Sequence, residues 1–270
     1  MDELAPVAVV TGASRGIGLV VAHRLAAAGW SVAGLARTVD AAPEPGDPGG
    51  RVLRMPVDVV DEAAVRAAVA TIEERLGPIQ LLVNNAAISG PHDATWDQSI
   101  TEWWNVFEVN VRGVLHACHA VLPRLIERRA GRIVNVASNA AFFAVDAEIS
   151  ELMGSAYMAS KAALVRFTEA LAVETASAGV TVFAVSPGMV KTAMTAGHFP
   201  ESWFEDESIW SPPELVAELI EHLASGRLDA LSGRYIHAAN DDWRTMDQRA
   251  AAIVTDDLNA MRLRVAEPPA

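Results

Sequence analysis

The chain has 270 residues, 51% of them hydrophobic, which is enough to form the core of one large α/β domain and excludes general disorder. Its formal charge of −13 at pH 7 excludes a broad phosphate-binding surface for nucleic acid or anionic lipid. The chain begins without a basic segment, has no apolar run long enough to span a membrane and carries one cysteine, Cys118. We therefore expect a cytoplasmic protein without internal disulfides that contacts neither membrane nor nucleic acid.

Short apolar segments alternate with helical patterns along the chain. The predicted strands are 7–11, 31–36, 52–57, 79–83, 132–137, 180–186 and 234–237, and the predicted helices are 16–28, 61–76, 101–129, 156–177 and 213–225. Strands that are apolar throughout are typical of a parallel sheet covered by helices on both faces. Without a repeat or a dividing linker, the pattern predicts one domain over residues 1–270, a doubly wound, Rossmann-type α/β fold with about seven strands.

Glycine, proline and aspartate mark the boundaries of these elements. Gly29 ends the first helix, Asp61 caps the second, Gly77 ends it, and Pro212-Pro213 opens the helix at 213–225. Residues 38–50 are rich in proline and glycine, so we predict a loop there. The tail at 267–270 is expected to fray.

A glycine-rich segment, Thr11-Gly12-Ala13-Ser14-Arg15-Gly16-Ile17-Gly18, joins the first strand to the first helix. Glycines permit a tight turn and close approach of the backbone to a ligand, and the N-terminus of a helix offers unpaired N–H groups to a phosphate. A glycine-rich turn without a ligand is the simpler alternative. The position between strand and helix favours a dinucleotide site.

Tyr157 and Lys161 belong to residue types that this chain nearly lacks, since the other tyrosine is Tyr235 and the other lysine Lys191. A Tyr-x-x-x-Lys pair is expected by chance only about 0.015 times in such a chain. Residues four apart share one face of a helix, and an ammonium group beside a phenol favours the phenolate. Alone, the pair fits a half-buried tyrosine beside a surface lysine equally well; beside a nucleotide site it indicates acid–base catalysis.

Three further polar residues stand at informative places. Ser138 follows the strand at 132–137, at the sheet edge where doubly wound folds bind ligands. Asn110 interrupts an apolar helical stripe, where a polar side chain needs a partner. Cys118 lies on the same stripe, and we interpret it as a core residue.

These motifs together resemble the short-chain dehydrogenase/reductases from about Val7 to Thr192. The resemblance rests on the glycine segment with its Gly-x-x-x-Gly-x-Gly spacing, Asp58-Val59, Asn84-Asn85-Ala86-Ala87, Asn110, Ser138, Tyr157 with Lys161, and Pro187-Gly188 before Thr192. It implies that Tyr157 exchanges a proton with the substrate oxygen and that Ser138 hydrogen-bonds this oxygen. It also implies that Lys161 binds the nicotinamide ribose and favours the tyrosinate, and that Asn110 holds a water molecule of a proton relay.

The resemblance also implies a set of cofactor contacts. They are Gly12, Ser14, Arg15, Gly16, Ile17, Gly18, Arg37, Asp58, Val59, Asn85, Ala86, Tyr157, Lys161, Pro187, Gly188, Val190 and Thr192. Members that prefer NAD carry an acidic residue at the end of the second strand, where this chain has Ala36 followed by Arg37. Arg15 and Arg37 can grip a 2′-phosphate, so we predict NADP(H). The alternative is that Arg37 lies on the surface and Arg15 meets a phosphate common to both cofactors.

Three segments depart from the family pattern. The gap 139–155 between serine and tyrosine is longer than usual and its alternating apolar and acidic residues predict either a flap over the pocket or a surface helical turn. Ala87 replaces a usual glycine beside the cofactor, which predicts a modest change. The substrate lid at 189–211 is rich in aromatic residues, which suits a bulky or aromatic substrate but equally a subunit interface.

The C-terminal extension at 241–270 replaces the short end that is common in the family, and its pattern predicts a helix at 245–264. It could cover the active site, dock on a partner subunit or simply pack.

The leading hypothesis is an NADP(H)-dependent carbonyl reductase or alcohol dehydrogenase that interconverts a ketone and a secondary alcohol. Two alternatives stay open: an epimerase or dehydratase built on the same oxidation step, and a sensor that binds nucleotide without turnover. The sensor is disfavoured because such proteins usually lose the tyrosine or the lysine. The resemblance implies a homodimer or homotetramer paired through the helices at 101–129 and 156–177, and no metal site is predicted.

Overall fold

The computed structural model of the chain describes residues 5–38, 51–143, 145, 153–196 and 199–262. Nearly all of the predicted loop at 38–50, most of the predicted flap at 139–155 and the tail at 267–270 lie outside these residues. The statements that follow concern the described part of the chain.

A seven-stranded sheet forms the centre of the molecule. Its strands are β1 (Val7–Thr11), β2 (Ser31–Ala36), β3 (Val52–Pro56), β4 (Ile79–Asn84), β5 (Gly131–Val136), β6 (Val180–Ser186) and β7 (Tyr235–His237). The strand order is β3-β2-β1-β4-β5-β6-β7, and every neighbouring pair is parallel. This confirms the predicted doubly wound fold and places a crevice beyond β1 and β4, where the order of the strands reverses.

Helices cover both faces of the sheet. They are α1 (Gly16–Ala27), α2 (Glu62–Leu76), α3 (Ile100–Phe107), α4 (Gly113–Arg128), α5 (Ser155–Thr175), α6 (Glu201–Glu205), α7 (Pro213–Ala224) and α8 (Ala250–Thr255). The predicted caps are confirmed: Asp61 accepts a hydrogen bond of 3.0 Å from the N–H of Ala64, and Gly29 and Gly77 adopt φ angles of 98° and 101° just after α1 and α2. None of the described helices is both long and apolar enough to cross a membrane.

Alternate residues of the strands feed two separate cores. In β1, Ala8 and Val10 pack with α1 and α7 on one face of the sheet, whereas Val7 and Val9 pack with α2, α4 and α5 on the other. All four side chains are buried. This two-sided burial explains why the strands are apolar throughout.

The predicted helix at 101–129 is interrupted. A π-helical turn, Glu108–Arg112, separates α3 from α4 with Asn110 at its centre. Such turns insert one residue into the helical repeat and are frequent at functional sites. The insertion lets the buried Asn110 face the segment after β4 instead of the core.

The predicted C-terminal helix at 245–264 is wrong in extent. A 3₁₀ turn, Met246–Arg249, and the short α8 are followed by irregular chain. Asp257 and Asn259 adopt left-handed φ angles of 52° and 54°, which no continuing helix allows. Asp and Asn tolerate this region better than other residues with side chains, so helical periodicity in the sequence was overridden by local turns.

Candidate active site

A cavity of about 920 Å³ lies at the carboxyl ends of the strands. Residues from the glycine segment, from the ends of β2 and β3, from the chain after β4 and from α5 line it. Of the predicted cofactor contacts, those on the lining are Gly12, Ser14, Arg15, Gly16, Ile17, Arg37, Asp58, Val59, Asn85, Ala86, Tyr157, Lys161, Pro187 and Thr192. The fold therefore gathers into one crevice residues that are far apart in the sequence.

The glycine segment is a narrow cradle held against the chain after β4. A Cβ atom on Gly12 would lie 2.8 Å from Cα of Ala86, and one on Gly18 would lie 2.3 Å from the carbonyl oxygen of Gly12. The side-chain amide of Asn85 donates to the carbonyl oxygens of Thr11 and Gly12 at 3.0 and 3.2 Å. No side chain caps the first turn of α1, so its N–H groups are free to serve a phosphate.

Three predicted cofactor contacts are not part of the cavity lining. Gly18 is buried beneath the cradle, and Val190 is buried in the core. Gly188 has φ +81°, and a Cβ atom there would lie 2.5 Å from Oγ of Ser211. Gly18 and Gly188 leave no room for a Cβ atom, so neighbouring groups pack closely behind the crevice at both positions.

The end of the cavity near β2 is basic. Among the described residues, Arg15, Arg37 and Arg54 line this end, Lys161 and Lys191 line the rest of the cavity, and Asp58 is the one acid of the lining. This excess contrasts with the whole chain, in which 34 acidic residues outnumber 21 basic ones. In the described part of the chain no acidic residue follows β2 directly, and this end of the cavity therefore suits an anionic ligand.

Arg54 was not predicted as a site residue from the sequence. It lies within β3 directly opposite Gly34 of β2, and both residues line the cavity. A basic residue in the middle of an otherwise apolar strand, next to a glycine on the neighbouring strand, was the available signal. Strand register had to be known before the two could be related.

Tyr157 and Lys161 lie on the first two turns of α5 and face the cavity. The ammonium group of Lys161 lies 5.6 Å from the centre of the Tyr157 ring and donates to the carbonyl oxygen of Val136 at 2.7 Å. Lys161 is only 3% exposed, and burial lowers the pKa of its ammonium group to about 8.

Ser138 follows the end of β5 and lies near Tyr157. Its side chain accepts a hydrogen bond of 3.1 Å from the N–H of Ala140. Burial raises the pKa of Tyr157 above its usual range, and the neighbouring Ser138 side chain opposes that rise. The raised pKa keeps the Tyr157 phenol protonated at neutral pH, as a proton donor requires.

Asn110 braces the site from behind the cavity lining. Its side chain accepts from the N–H of Ile88 at 2.9 Å and donates to the carbonyl oxygen of Ile88 and to Oγ of Ser160, both at 3.0 Å. Ser160 in turn donates to the carbonyl oxygen of Tyr157 at 2.8 Å. The amide of Asn110 thus ties the chain after β4 to the turn of α5 that carries Tyr157.

The predicted substrate lid at 189–211 contains a cluster of aromatic side chains, and Lys191 is hydrogen-bonded to this segment. Phe199 stacks on Trp203 and Phe204 stacks on Trp210, with ring centres 5.4 and 4.7 Å apart. Lys191 donates to the carbonyl oxygen of Phe204 at 3.1 Å and to the carboxylate of Glu207 at 2.6 Å. Lys191 and Met194 line the cavity, whereas these four aromatic rings are not part of its lining.

The described geometry agrees with comparisons to known proteins. Residues 6–203 match the family model for the short chain dehydrogenases, so the chain belongs to that family.

Individual relatives cover most of the chain. It is 38% identical to a 2-(R)-hydroxypropyl-CoM dehydrogenase of Xanthobacter autotrophicus over 77% of this chain and 84% of that protein. It is 34% identical to an acetoacetyl-CoA reductase of Paracoccus denitrificans over 88% of this chain and 98% of that protein. A solved structure from Sinorhizobium meliloti 1021, described as a short-chain alcohol dehydrogenase, matches with a TM-score of 0.76 at 29% identity, covering 88% of this chain and 96% of that chain.

Proposed function

We propose that this protein is an NADP(H)-dependent oxidoreductase that interconverts a ketone and a secondary alcohol and acts as a carbonyl reductase. The observation that carries the proposal is the pair of Tyr157 and Lys161 on one wall of the nucleotide-sized cavity, with Ser138 next to Tyr157. A phenol that stays protonated beside a hydroxyl and a buried ammonium group is suited to deliver a proton to a carbonyl oxygen.

The chemistry divides between the chain and the cofactor. NADPH, when bound, supplies the hydride to the carbonyl carbon. Tyr157 gives its phenolic proton to the carbonyl oxygen, so that a C–H and an O–H bond form as the C=O π bond breaks. Ser138 donates a hydrogen bond to that oxygen as negative charge develops, and Lys161 compensates the charge left on Tyr157 and holds the nicotinamide ribose.

The choice of NADP(H) rests on the basic end of the cavity. Arg15, Arg37 and Arg54 line it together, and Ala36 stands where an acid would favour the free ribose hydroxyls of NAD. A guanidinium group forms paired, charge-assisted hydrogen bonds with a phosphate, which NAD lacks at its 2′ position.

The substrate is proposed to be a small molecule with a bulky apolar or aromatic part beside its carbonyl group. Ile88, Val109 and Met194 give the lining apolar side chains. The names of the two relatives describe a hydroxypropyl and an acetoacetyl group, a secondary alcohol and a ketone. The same class of reaction is therefore assigned to this chain.

A homodimer or homotetramer paired through α4 and α5 accompanies this proposal. Leu115 and Ile126 of α4 and Val173 of α5 are exposed apolar side chains on those helices. Cys118 is the one cysteine of the chain and is buried, so it forms no internal disulfide, which fits the reducing cytoplasm in which we propose the protein acts.

A screen of ketones, from aliphatic to polycyclic aromatic, tests the proposed activity. Each ketone is mixed with protein and NADPH, and the loss of reduced nicotinamide is followed together with the alcohol product. We expect equal amounts of NADP⁺ and secondary alcohol for at least one bulky ketone. Product formed without net NADP⁺ would indicate an epimerase or dehydratase, and tight NADPH binding with no turnover on any ketone would indicate a sensor.

A further inference from the structure

The second tyrosine of the chain, Tyr235, lies immediately behind the proposed catalytic serine. Its hydroxyl donates to Oδ1 of Asn139, the residue after Ser138, and the nearby Ser186 side chain opposes the rise in the pKa of Tyr235 that burial causes. The Tyr235 side chain is 9% exposed, and the charge of an ionised Tyr157 would raise the pKa of Tyr235 further. The two tyrosines are thus electrostatic neighbours with Ser138 and Asn139 beside them.

The turn that carries Ser138 is held from two sides. On one side, the N–H of Ala137 donates to the carbonyl oxygen of Val185 in β6 at 2.7 Å. On the other side, the hydroxyl of Tyr235 donates a hydrogen bond to the side chain of Asn139. The ring of Tyr235 packs edge to face on Phe142, with ring centres 4.7 Å apart. The side chain of Ser138 accepts a hydrogen bond from the N–H of Ala140 within the three-residue 3₁₀ turn Asn139–Ala141, so the contacts that hold this turn also orient the Ser138 hydroxyl.

The irregular C-terminal chain fixes Tyr235 in turn. The N–H of Tyr235 donates to the carbonyl oxygen of Asn259 at 2.8 Å, and the side chain of Asn259 donates to the carbonyl oxygen of Tyr235 at 2.9 Å. The N–H of Met261 donates to Glu169 of α5 at 2.7 Å, and its side chain packs on the small cluster that contains Ala137 and Tyr235. The extension therefore joins the outer edge of β7 to the helix that carries Tyr157.

We infer that Tyr235 is a positioning residue for the proposed reaction: through Asn139 it aims the hydroxyl of Ser138, and residues 259–261 hold Tyr235 in place. This inference rests on the proposed function and adds a residue that the family motifs do not include. It also assigns a role to the C-terminal extension, which neither ends as a long helix nor contributes to the described cavity lining.

A double-mutant cycle tests the inference with the full-length protein and the ketone identified by the screen. Tyr235→Phe removes the hydroxyl but keeps the ring that packs on Phe142. We expect kcat to fall about 10-fold, since small misplacements of catalytic groups are costly, with the Kd for NADPH unchanged. In a Ser138→Ala background, Tyr235→Phe should alter kcat less than about twofold. The reason is that substitutions of two residues that act as one unit do not have additive effects.

Three outcomes would overturn the inference. A Tyr235→Phe variant with wild-type kcat shows that the hydroxyl does not aim Ser138. A raised KM for the ketone at unchanged kcat identifies Tyr235 as a substrate contact. An equal fall in both backgrounds shows a general loss of structure. Asn139→Ala supplies a second variant, and its effect should be lost in the Tyr235→Phe background.

A measurement that does not depend on turnover separates this inference from the proposed function. In NMR spectra, tyrosine labelled with ¹³C at Cζ gives one signal for each of the two tyrosines, and the spectrum of Tyr157→Phe assigns them. The neighbouring Ser138 side chain lowers the pKa of Tyr157, so a misaimed Ser138 in Tyr235→Phe should raise that pKa. Adding Ser138→Ala to Tyr235→Phe should then raise it no further. An unchanged Tyr157 pKa contradicts the inference, whereas a protein that shows the rise but reduces no ketone contradicts the proposed function alone.

Discussion

The two ends of the cavity differ in how far their ionisable side chains are buried. At the β2 end, the side chains of Arg15 and Arg37 are exposed, so their charges act through water and are screened by salt. At the other end, Tyr157 and the almost fully buried Lys161 lie where burial shifts the pKa values of both groups toward their neutral forms. Under the proposed function, charge at the open end selects the cofactor, and desolvation at the closed end prepares the proton transfer.

We therefore expect substitutions at the two ends to affect different properties of the protein. A change at the closed end should remove turnover and spare cofactor binding. A change at the open end should alter the choice of cofactor and spare the chemical step.

Tyr157→Phe should have the largest effect. The phenolic proton is lost while the ring is kept, so kcat for ketone reduction should fall by about 10²–10⁴-fold. The Kd for NADPH, followed by nicotinamide fluorescence, should stay within about twofold because the cradle and the arginines are intact. Tyr235→Phe, the matched change at the other tyrosine, should cost far less. Turnover within a few-fold of wild type in Tyr157→Phe would remove Tyr157 from the proton transfer.

Replacement of both Arg15 and Arg37 by alanine should have the next largest effect. The loss of two charge-assisted contacts should lower kcat/KM for NADPH about 10- to 100-fold and leave kcat/KM for NADH nearly unchanged. The effect should shrink at high salt, because both groups are exposed. Arg66→Ala with Arg112→Ala is the control, since it removes the same charge from exposed positions outside the main cavity lining. Equal losses with both cofactors would place the arginines on a phosphate that NAD shares.

The pH dependence should report the closed end and show the smallest change. Burial lowers the pKa of Lys161 from 10.5 to about 8, so its ammonium form is present below that pH and is lost as pH rises through it. If the charge of Lys161 is needed, kcat/KM for NADPH should fall about tenfold per pH unit above about pH 8, since this ratio reports the free enzyme. Lys191→Arg should leave the midpoint in place, because Lys191 is exposed and paired with Glu207. A profile that is flat to pH 10 would contradict the role given to Lys161.

The same two ends differ in how far the sequence predicts them. The cradle, Ser138, Tyr157 and Lys161 are local motifs whose position relative to a strand or helix predicts a place at the crevice; the cradle, Tyr157 and Lys161 line the cavity, and Ser138 lies next to Tyr157. Arg54 escaped prediction because its relation to Gly34 depends on the register of β2 and β3. Tyr235 and Asn259 escaped because they act through contacts with Asn139 and with β7 that no local pattern encodes.

The predicted C-terminal helix shows the opposite error. Apolar periodicity favoured a helix to residue 264, but Asp257 pairs with Arg234 at 2.7 Å and Asn259 pairs with the backbone of Tyr235. These tertiary bonds stabilise left-handed backbone at both residues and end the helix at Thr255. Propensity is a weak prior where tertiary partners are available.

The most direct test of the whole account compares NADPH with NADH as the cofactor of the wild-type protein, using one ketone found in the screen. The account predicts that kcat/KM for NADPH exceeds that for NADH by at least about tenfold, with the difference reduced in the Arg15→Ala/Arg37→Ala variant. Equal efficiencies with the two cofactors, or a preference for NADH, would contradict it.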